Sequence, residues 1–530
     1  MKILFFIIPV IALLNLVYEY KRVLMMLQQN SYRNERYMRW LRVSGDTTTF
    51  MRMFAYIVLF VSLISAIPHN FSMYLILLVS AVSFGKLFTA KYKKPIVFTK
   101  RVWRLFATML LLTLILMIAA FCVTLNYGLG THLFVQSLLL LALYAGSHIM
   151  LMFTNTLLSP VEKAINRRYY NDAARILSQM PDLKIIGITG SYGKTSTKHY
   201  LQRILSEKFD VLMTPGSYNT TLGVVRTVRE LLKPYNEVFI VEMGAKQPGD
   251  IKEICDLVHP SMGIVTAVGE QHLESFKTVE NVQRTKFELV DALPADGLAV
   301  VNDDFEYVAN RNVANVECCR YAVKNTQNAQ YTAQNIVYDE TGTSFTIVGN
   351  GVEMQLHTRL VGECNISNLI AAVIIAIKLG VPEAKIKYAV EKIEQVEHRL
   401  NLKRTPGGIT IIDDAFNSNP VGAKEALNVL HSFPGRHLII TPGFVEMGEN
   451  EDKFNYELGT HIAETCDAAI LVGPRHTSPI RQGMLDRGFD EKKILVVNTL
   501  DEAAKNIPVF AQNGDAVLFE NDLPDNYTEK

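Results

Sequence analysis

Acidic side chains are nearly missing from the first third of the chain. Residues 1–158 hold three Asp or Glu against fifteen Lys or Arg, which leaves 38 basic and 49 acidic side chains for the rest. Over all 530 residues the signs balance, 53 against 52. The split excludes a uniform soluble fold, intrinsic disorder, and a nucleic-acid binder with a basic soluble body. Cysteine is scarce too. Cys122, Cys255, Cys318, Cys319, Cys364 and Cys466 form no CxxC pair, which excludes a zinc ribbon and a disulfide framework. Adjacent Cys318 and Cys319 cannot form an ordinary unstrained disulfide, so these read as free thiols in a reducing compartment.

Ionisable Asp, Glu, Lys and Arg are absent from the interiors of five apolar runs, at about 3–18, 53–67, 71–84, 105–125 and 133–158. They predict an all-α membrane domain over 1–158 with about five transmembrane helices. The last two runs are long enough for a hydrocarbon core of roughly 30 Å. The second and third are shorter and joined by Pro68-His69-Asn70, giving either a tight hairpin whose flanking Arg52 and Lys86 snorkel or a re-entrant pair. No small-x-small cleavage site follows the first run, which meets Glu19-Tyr20-Lys21-Arg22 directly, so it reads as an uncleaved anchor.

Lys and Arg crowd segments 21–52 and 86–104 and are missing from the other two connections. That pattern predicts a multi-pass protein of the cytoplasmic membrane, with its N-terminus outside and everything after Pro160 in the cytoplasm. The basic segments either bind anionic or pyrophosphate-linked lipid headgroups or only enforce topology. Tyr20, Val23, Leu24 and Leu27 predict an amphipathic helix lying at the cytoplasmic surface.

After a helical linker at 159–181, composition changes to α/β. KIIGIT at 184–189 is a buried-strand run, Gly190-Ser191-Tyr192-Gly193-Lys194-Thr195-Ser196 a glycine turn, and 197–205 has helical spacing. In that context backbone N–H groups and a helix N-terminus face a polyphosphate. Lys194 reaches the β- and γ-phosphates and the Thr195 hydroxyl holds Mg²⁺. The usual first glycine of such a loop is lacking, since Ile188 stands in its place.

Strands at 238–243, 262–268 and 297–302 alternate with helices at 223–232, 249–257 and 279–292, predicting a mostly parallel sheet. Ligands sit at the carboxyl ends of such strands, where Glu242, His272 and Asn302 fall. A carboxylate there is ordinarily a helix cap or ion-pair partner. Sharing an edge with the phosphate loop makes Mg²⁺ ligation an equal alternative for Glu242.

The ordered segments ITGSYGKTSTK, GSYNTTLGV, VEMGAKQPGDI, VTAVGEQHLESF, RTKFELVDALPADGLAVVNDD, GECNISNLIAAV, VEHRLNLK and IIDDAFNSNP span about 182–460. In them the chain resembles the Mur ligase family, and within it the MurF type, which adds D-alanyl-D-alanine to a muramoyl tripeptide. The resemblance implies a central ATP-binding parallel-sheet domain at 182–400 and a smaller Rossmann-like domain at 401–530. It implies that Lys194 is the phosphate-loop lysine, that Thr195 and Glu242 make a first Mg²⁺ site, and that His272 and a carbamylated Lys286 serve a second. The alternative for Lys286 is a surface lysine paired with Glu288 or Glu270. Asn365, Asn368, Arg399 and Asp414 resemble nucleotide-contacting residues, with Arg399 also counted as catalytic.

The implied reaction is ATP-dependent amide formation through an acyl phosphate on a cell-wall precursor, soluble or lipid-linked, with an amino acid or dipeptide as the amine. Three departures stand out: Cys364 in place of a histidine, Thr441-Pro442-Gly443 in place of a Leu-Gly-Asp type turn, and Phe519-Glu520-Asn521-Asp522-Leu523-Pro524 in place of a Lys-Gly-Ser ending. The two C-terminal departures fall in the domain that selects the amine. The apolar runs also occupy the place of the family's substrate-gripping N-terminal domain. An exporter ATPase is excluded by the lack of an LSGGQ-like signature. A poly-γ-glutamate or folyl-polyglutamate synthase type and a non-catalytic membrane scaffold remain as alternatives.

Overall fold

The computed structural model describes residues 2–522 except 65–67, 91, 93, 271–272, 340–341, 397–398, 416–418, 446 and 448–449, and not the side chains of 2–5, 273–274 and 338–339. The chain divides into two compact units, Met1–Arg167 and Arg168–Leu523.

The first unit is helical: Lys2–Gln29, Asn34–Ser44, Phe50–Ser62, His69–Thr89, Lys100–Val123, Leu129–Ala145 and the start of Ser147–Ser178. Among the described residues, His69–Thr89 and Lys100–Val123 are long and apolar enough to cross a bilayer. Leu129–Ala145 with Ser147–Ser178 makes a third only if that pair, bent by 74°, is one span. Of the roughly five spans expected, two or three are found among the described residues. The second apolar run begins on the 13-residue helix Phe50–Ser62, about 20 Å long and short of a hydrocarbon core, and its end, 65–67, lies outside the described residues. The first run begins within side chains outside the described set.

Two further expectations for this unit are corrected. Tyr20, Val23, Leu24 and Leu27 are fully buried in a core with Tyr37, Val58 and Ile76. A helical apolar period reports that a face is covered, and here neighbouring helices cover it. Arg52 does not snorkel; it is 1% exposed and its Nη2 pairs with Glu19. Its Nη1 donates to the carbonyls of Tyr144 (3.1 Å) and Ala145 (3.0 Å) at the end of their helix, where Tyr56 OH also reaches the Ala145 carbonyl (3.3 Å). Arg22 joins Glu19 (2.8 Å) to Asp46 (2.7 Å).

The second unit holds two sheets. In the first, β1 (Lys184–Thr189), β2 (Val211–Met213), β3 (Val238–Glu242), β4 (Met262–Val265), β5 (Leu298–Asn302) and β6 (Glu317–Ala322) are continued by β7 (Tyr331–Asp339), β8 (Gly342–Gly349) and β9 (Val352–Thr358). The order is β2-β3-β1-β4-β5-β6-β7-β8-β9, parallel through β7 and antiparallel beyond. The strands β3, β1, β4 and β5 read as unbroken apolar runs because helices cover both faces. Helix Glu363–Lys378 is buried along most of its length, as its sequence ECNISNLIAAVIIAIK requires.

The second sheet comprises β10 (Asn401–Arg404), β11 (Thr410–Asp414), β12 (His437–Thr441), β13 (Ala468–Val472), β14 (Ile494–Val497) and β15 (Ala516–Glu520). Its order is β10-β11-β15-β12-β13-β14, with only the β10 edge antiparallel. The expected strand 262–268 stops at Val265 because the next residues leave the sheet to brace the phosphate loop: Ser191 N–H donates to the Ala267 carbonyl (2.8 Å).

Candidate functional site

Strand order reverses around β1, with β3 on one side and β4 on the other. The crevice at its carboxyl end is where an α/β sheet takes ligands. The turn there demands glycine twice. At Gly190 a Cβ would lie 2.1 Å from Thr266 Oγ1, and Gly193, at φ +77°, would bring one 2.4 Å from Asn368 Oδ1. Helix Lys194–Leu205 starts immediately after, and its first backbone N–H groups have no intrahelical acceptor.

Lys194 Nζ folds back on the loop, donating to the Gly190 (2.6 Å) and Ser191 (3.2 Å) carbonyls. Burial brings its pKa down to about 8, with Arg399 adding to the shift and Glu242 opposing it. Thr195 Oγ1 donates to Glu242 Oε2 (3.1 Å), and Asn219 Nδ2 to Glu242 Oε1 (3.1 Å). Burial resists ionisation of Glu242, but Lys198 and Lys194 outweigh it and hold the carboxyl below its usual range. Lys198 Nζ lies 2.9 Å from Glu242 Oε2. Sequence reasoning missed this lysine. The available signal was its i,i+3 spacing from Thr195, which puts both on one helix face.

Lys286 is 3% exposed, which removes the surface alternative. Burial, then nearby Lys194, pushes its pKa well below the ordinary value against Asp250, Glu288 and Glu242. Glu288 is occupied with the Gly249 (2.7 Å) and Lys252 (2.9 Å) backbone N–H groups. His272 lies outside the described residues.

The polar residues further round the site largely brace one another. Ser191 Oγ donates to the Gly269 carbonyl (3.2 Å) and Tyr192 OH to that of Glu270 (3.3 Å). Asn302 Nδ2 donates to the Thr266 carbonyl and Ser367 Oγ (both 2.9 Å). Asn365 Oδ1 accepts from Tyr200 OH (2.8 Å) and Asn368 Oδ1 from Thr197 Oγ1 (3.1 Å), so both asparagines buttress the helix behind the loop. Asp414 Oδ1 accepts from Leu400 N–H (3.1 Å). Burial raises its pKa to about 6 although Arg399 opposes this.

A cavity of about 210 Å³ brings both sheets to one place, lined by Gly193, Ser196, Asn302, Asn368, Arg399 and Asp414 among others. Cys364 lines it too. A second cavity, about 810 Å³, opens beside it and shares Arg399; Thr195, His199, Gly216 and Lys392 contribute to its wall.

Among the described residues no cluster of three or more His, Cys, Asp or Glu forms a ready-made metal cage. One carboxylate and one hydroxyl beside a phosphate loop nonetheless suit Mg²⁺, which takes few protein ligands and fills the rest with phosphate oxygens and water.

Both sheet-bearing parts of the chain are similar to known proteins. The profile of the Mur ligase middle domain matches residues 188–376, and that of the Mur ligase, glutamate ligase domain, matches residues 398–520. The UDP-N-acetylmuramoyl-tripeptide--D-alanyl-D-alanine ligase of Mycobacterium tuberculosis (strain CDC 1551 / Oshkosh) is 32% identical over 349 residues, 63% of this chain and 67% of that one. The enzyme of the same name from Bacillus subtilis (strain 168) is 26% identical over 340 residues, 64% of this chain and 72% of that one. The crystal structure of MurF from Acinetobacter baumannii superposes with a TM-score of 0.61 at 26% identity, covering 67% of this chain and 77% of that one. Neither profile reaches into the first 187 residues.

Proposed function

The chain belongs to the Mur ligase family, and from that premise we propose that it joins D-alanyl-D-alanine, or a related amine, to a cell-wall peptide precursor presented at the cytoplasmic face of a membrane. It is an ATP-dependent acid–amino-acid ligase. The observation that carries the reading is the meeting of Thr195 with Glu242 at 3.1 Å beside Lys194, at the mouth of the switch-point crevice.

In the proposed reaction an acceptor carboxylate oxygen attacks the γ-phosphorus of ATP. The bond to the β–γ bridging oxygen breaks and ADP leaves with its electron pair. The amine then attacks the carbonyl of the acyl phosphate, phosphate departs, and the amine's proton is released. Lys194 exchanges its loop carbonyls for phosphate oxygens and offsets the repulsion between two anions. Arg399, which lines both cavities, places a guanidinium against charge on the transferring group. Asn302, Asn365, Asn368 and Asp414 shape the nucleotide cavity with Gly190, Ser191, Tyr192, Gly193 and Ser196.

Thr195 and Glu242 are the proposed ligands of one Mg²⁺, and His272 with Lys286 those of a second. Bound there, Mg²⁺ supplies neutralisation of phosphate charge. Burial shifts Lys286 toward the free amine, the form that reacts with carbon dioxide to give a carbamate and a proton, so that an ammonium position would become an anionic one. Closure of the C-terminal domain over the cavity keeps water from the acyl phosphate.

Membrane presentation is supported by two helices long and apolar enough to cross a bilayer and by the basic segments flanking them. On this reading the N-terminus lies outside and the ligase domains in the cytoplasm. The test is phosphate release by the purified full chain given ATP, D-alanyl-D-alanine and either a soluble nucleotide-linked or a polyprenyl-linked muramoyl tripeptide. Turnover with the polyprenyl-linked acceptor supports the whole reading. Turnover on the soluble one alone rejects membrane presentation, and turnover on neither rejects this substrate.

A further inference from the structure

We propose, resting on the metal reading above, that Lys198 is a positioning residue: it stands in for a divalent cation at Glu242 when none is bound and links that carboxylate to the loop 214–219. Lys198 is fully buried. Its Nζ is 2.9 Å from Glu242 Oε2 and donates to the Gly216 carbonyl at 2.7 Å. Thr195 Oγ1 uses the same carboxylate oxygen.

The loop holds Glu242 at two further points. Glu242 N–H donates to Thr214 Oγ1 (3.1 Å), and Asn219 Nδ2 donates to Glu242 Oε1. Gly216 and Ser217 of the same loop wall the second cavity.

A carboxylate this deeply buried is costly without a cation, and removing one partner of such a pair leaves the other uncompensated. Lys198 supplies that cation inside the fold. A divalent ion ligated by Thr195 and Glu242 adds positive charge beside an ammonium already on the same oxygen. Like charges repel, so the Lys198–Glu242 contact weakens and the bond to Gly216 becomes the lysine's principal hold. Cation occupancy is thereby felt at the wall of the second cavity. Lys198 touches no reacting atom in this scheme and transfers no proton.

The experiment compares thermal midpoints of the full chain in detergent, in EDTA and in MgCl₂ with ADP, for wild type, Lys198→Met, Lys198→Arg and Lys198→Met/Glu242→Gln. In EDTA, Lys198→Met falls by about 5 °C or more, and MgCl₂ with ADP restores most of the loss, so its shift exceeds that of wild type. Lys198→Arg keeps the charge and stays near wild type. The double variant recovers in EDTA and shows no enlarged shift. A Lys198→Met midpoint in EDTA equal to wild type, or a shift no larger than wild type's, overturns the proposal alone. No shift in wild type overturns the metal reading and the proposal together. Should Lys198→Met not fold, normal folding of the double variant supports the pairing and its failure to fold overturns it.

Discussion

Thr441 Oγ1 donates a 2.9 Å hydrogen bond to Glu520 Oε2, tying together the carboxyl ends of neighbouring strands β12 and β15. Asn521 Nδ2 adds a 2.6 Å bond to the Gly443 carbonyl. Two departures from the family pattern, far apart in sequence, thus form one feature beside Asp414, the register partner of Glu520. A change in either segment is therefore a change in both.

Glu520 is fully buried, and burial raises its pKa to about 8, with Thr441 opposing the shift and Asp414 adding to it. A carboxyl whose folded pKa lies above its unfolded value near 4.5 contributes stability that is complete below that value and is lost as pH rises towards 8. Wild type is expected to lose stability across this window relative to Glu520→Gln, whose difference from wild type grows from pH 5 to pH 8. Denaturant midpoints measured at several pH values check the slope.

Lys194→Met is expected to separate activity from stability. Its ammonium is half-buried, with two backbone carbonyls as its hydrogen-bond acceptors. Removing it relieves a desolvation cost but withdraws the donor to both carbonyls and one of the cations that offset Glu242, so the thermal midpoint of the nucleotide-free protein changes only modestly. Turnover falls by roughly 10²-fold or more, because a cation directed at the transferring phosphoryl group is gone. Phosphate release and thermal unfolding on the same preparation provide the check.

Gly193→Ala tests the loop's geometry. A φ of +77° disfavours any L side chain, and the new methyl meets Asn368 Oδ1 at 2.4 Å. The expected cost is about 1–3 kcal/mol, with weakened nucleotide binding. Adding Asn368→Ala removes the clash but not the backbone strain, so it recovers only part of the loss in denaturant unfolding.

What the sequence disclosed and what it hid follow from the range of the interactions involved. β1, its glycine turn and the following helix were legible because β-branched residues, two glycines and helical spacing act locally. The pairing of Lys198 with Glu242 was not, since it depends on β3 lying beside β1. The antiparallel pair β8–β9 went unforeseen although Asn350-Gly351, both at positive φ, joins it and is the favoured two-residue hairpin turn. In the first unit hydropathy located apolar helices but could not show that the chain breaks at Gly146, so the role of Arg52 stayed hidden.

Arg52 gives the sharpest test of that unit. Arg52→Met leaves Glu19, 1% exposed, short of its closest cation and removes the guanidinium from the Tyr144 and Ala145 carbonyls, leaving Ala145 with only the 3.3 Å bond from Tyr56 OH. Loss of one partner of a buried pair costs about 3–5 kcal/mol. Arg22 still reaches Glu19 at 2.8 Å, which places the expected value at the lower end. Arg52→Met/Glu19→Gln removes the orphaned charge and is expected to recover part of the loss, while the lost guanidinium bonds to the two carbonyls account for the rest. Unfolding of the full chain in detergent, followed for both variants, reads this partition; equal losses in the two would assign the whole effect to the carbonyls of the broken helix and none to the ion pair.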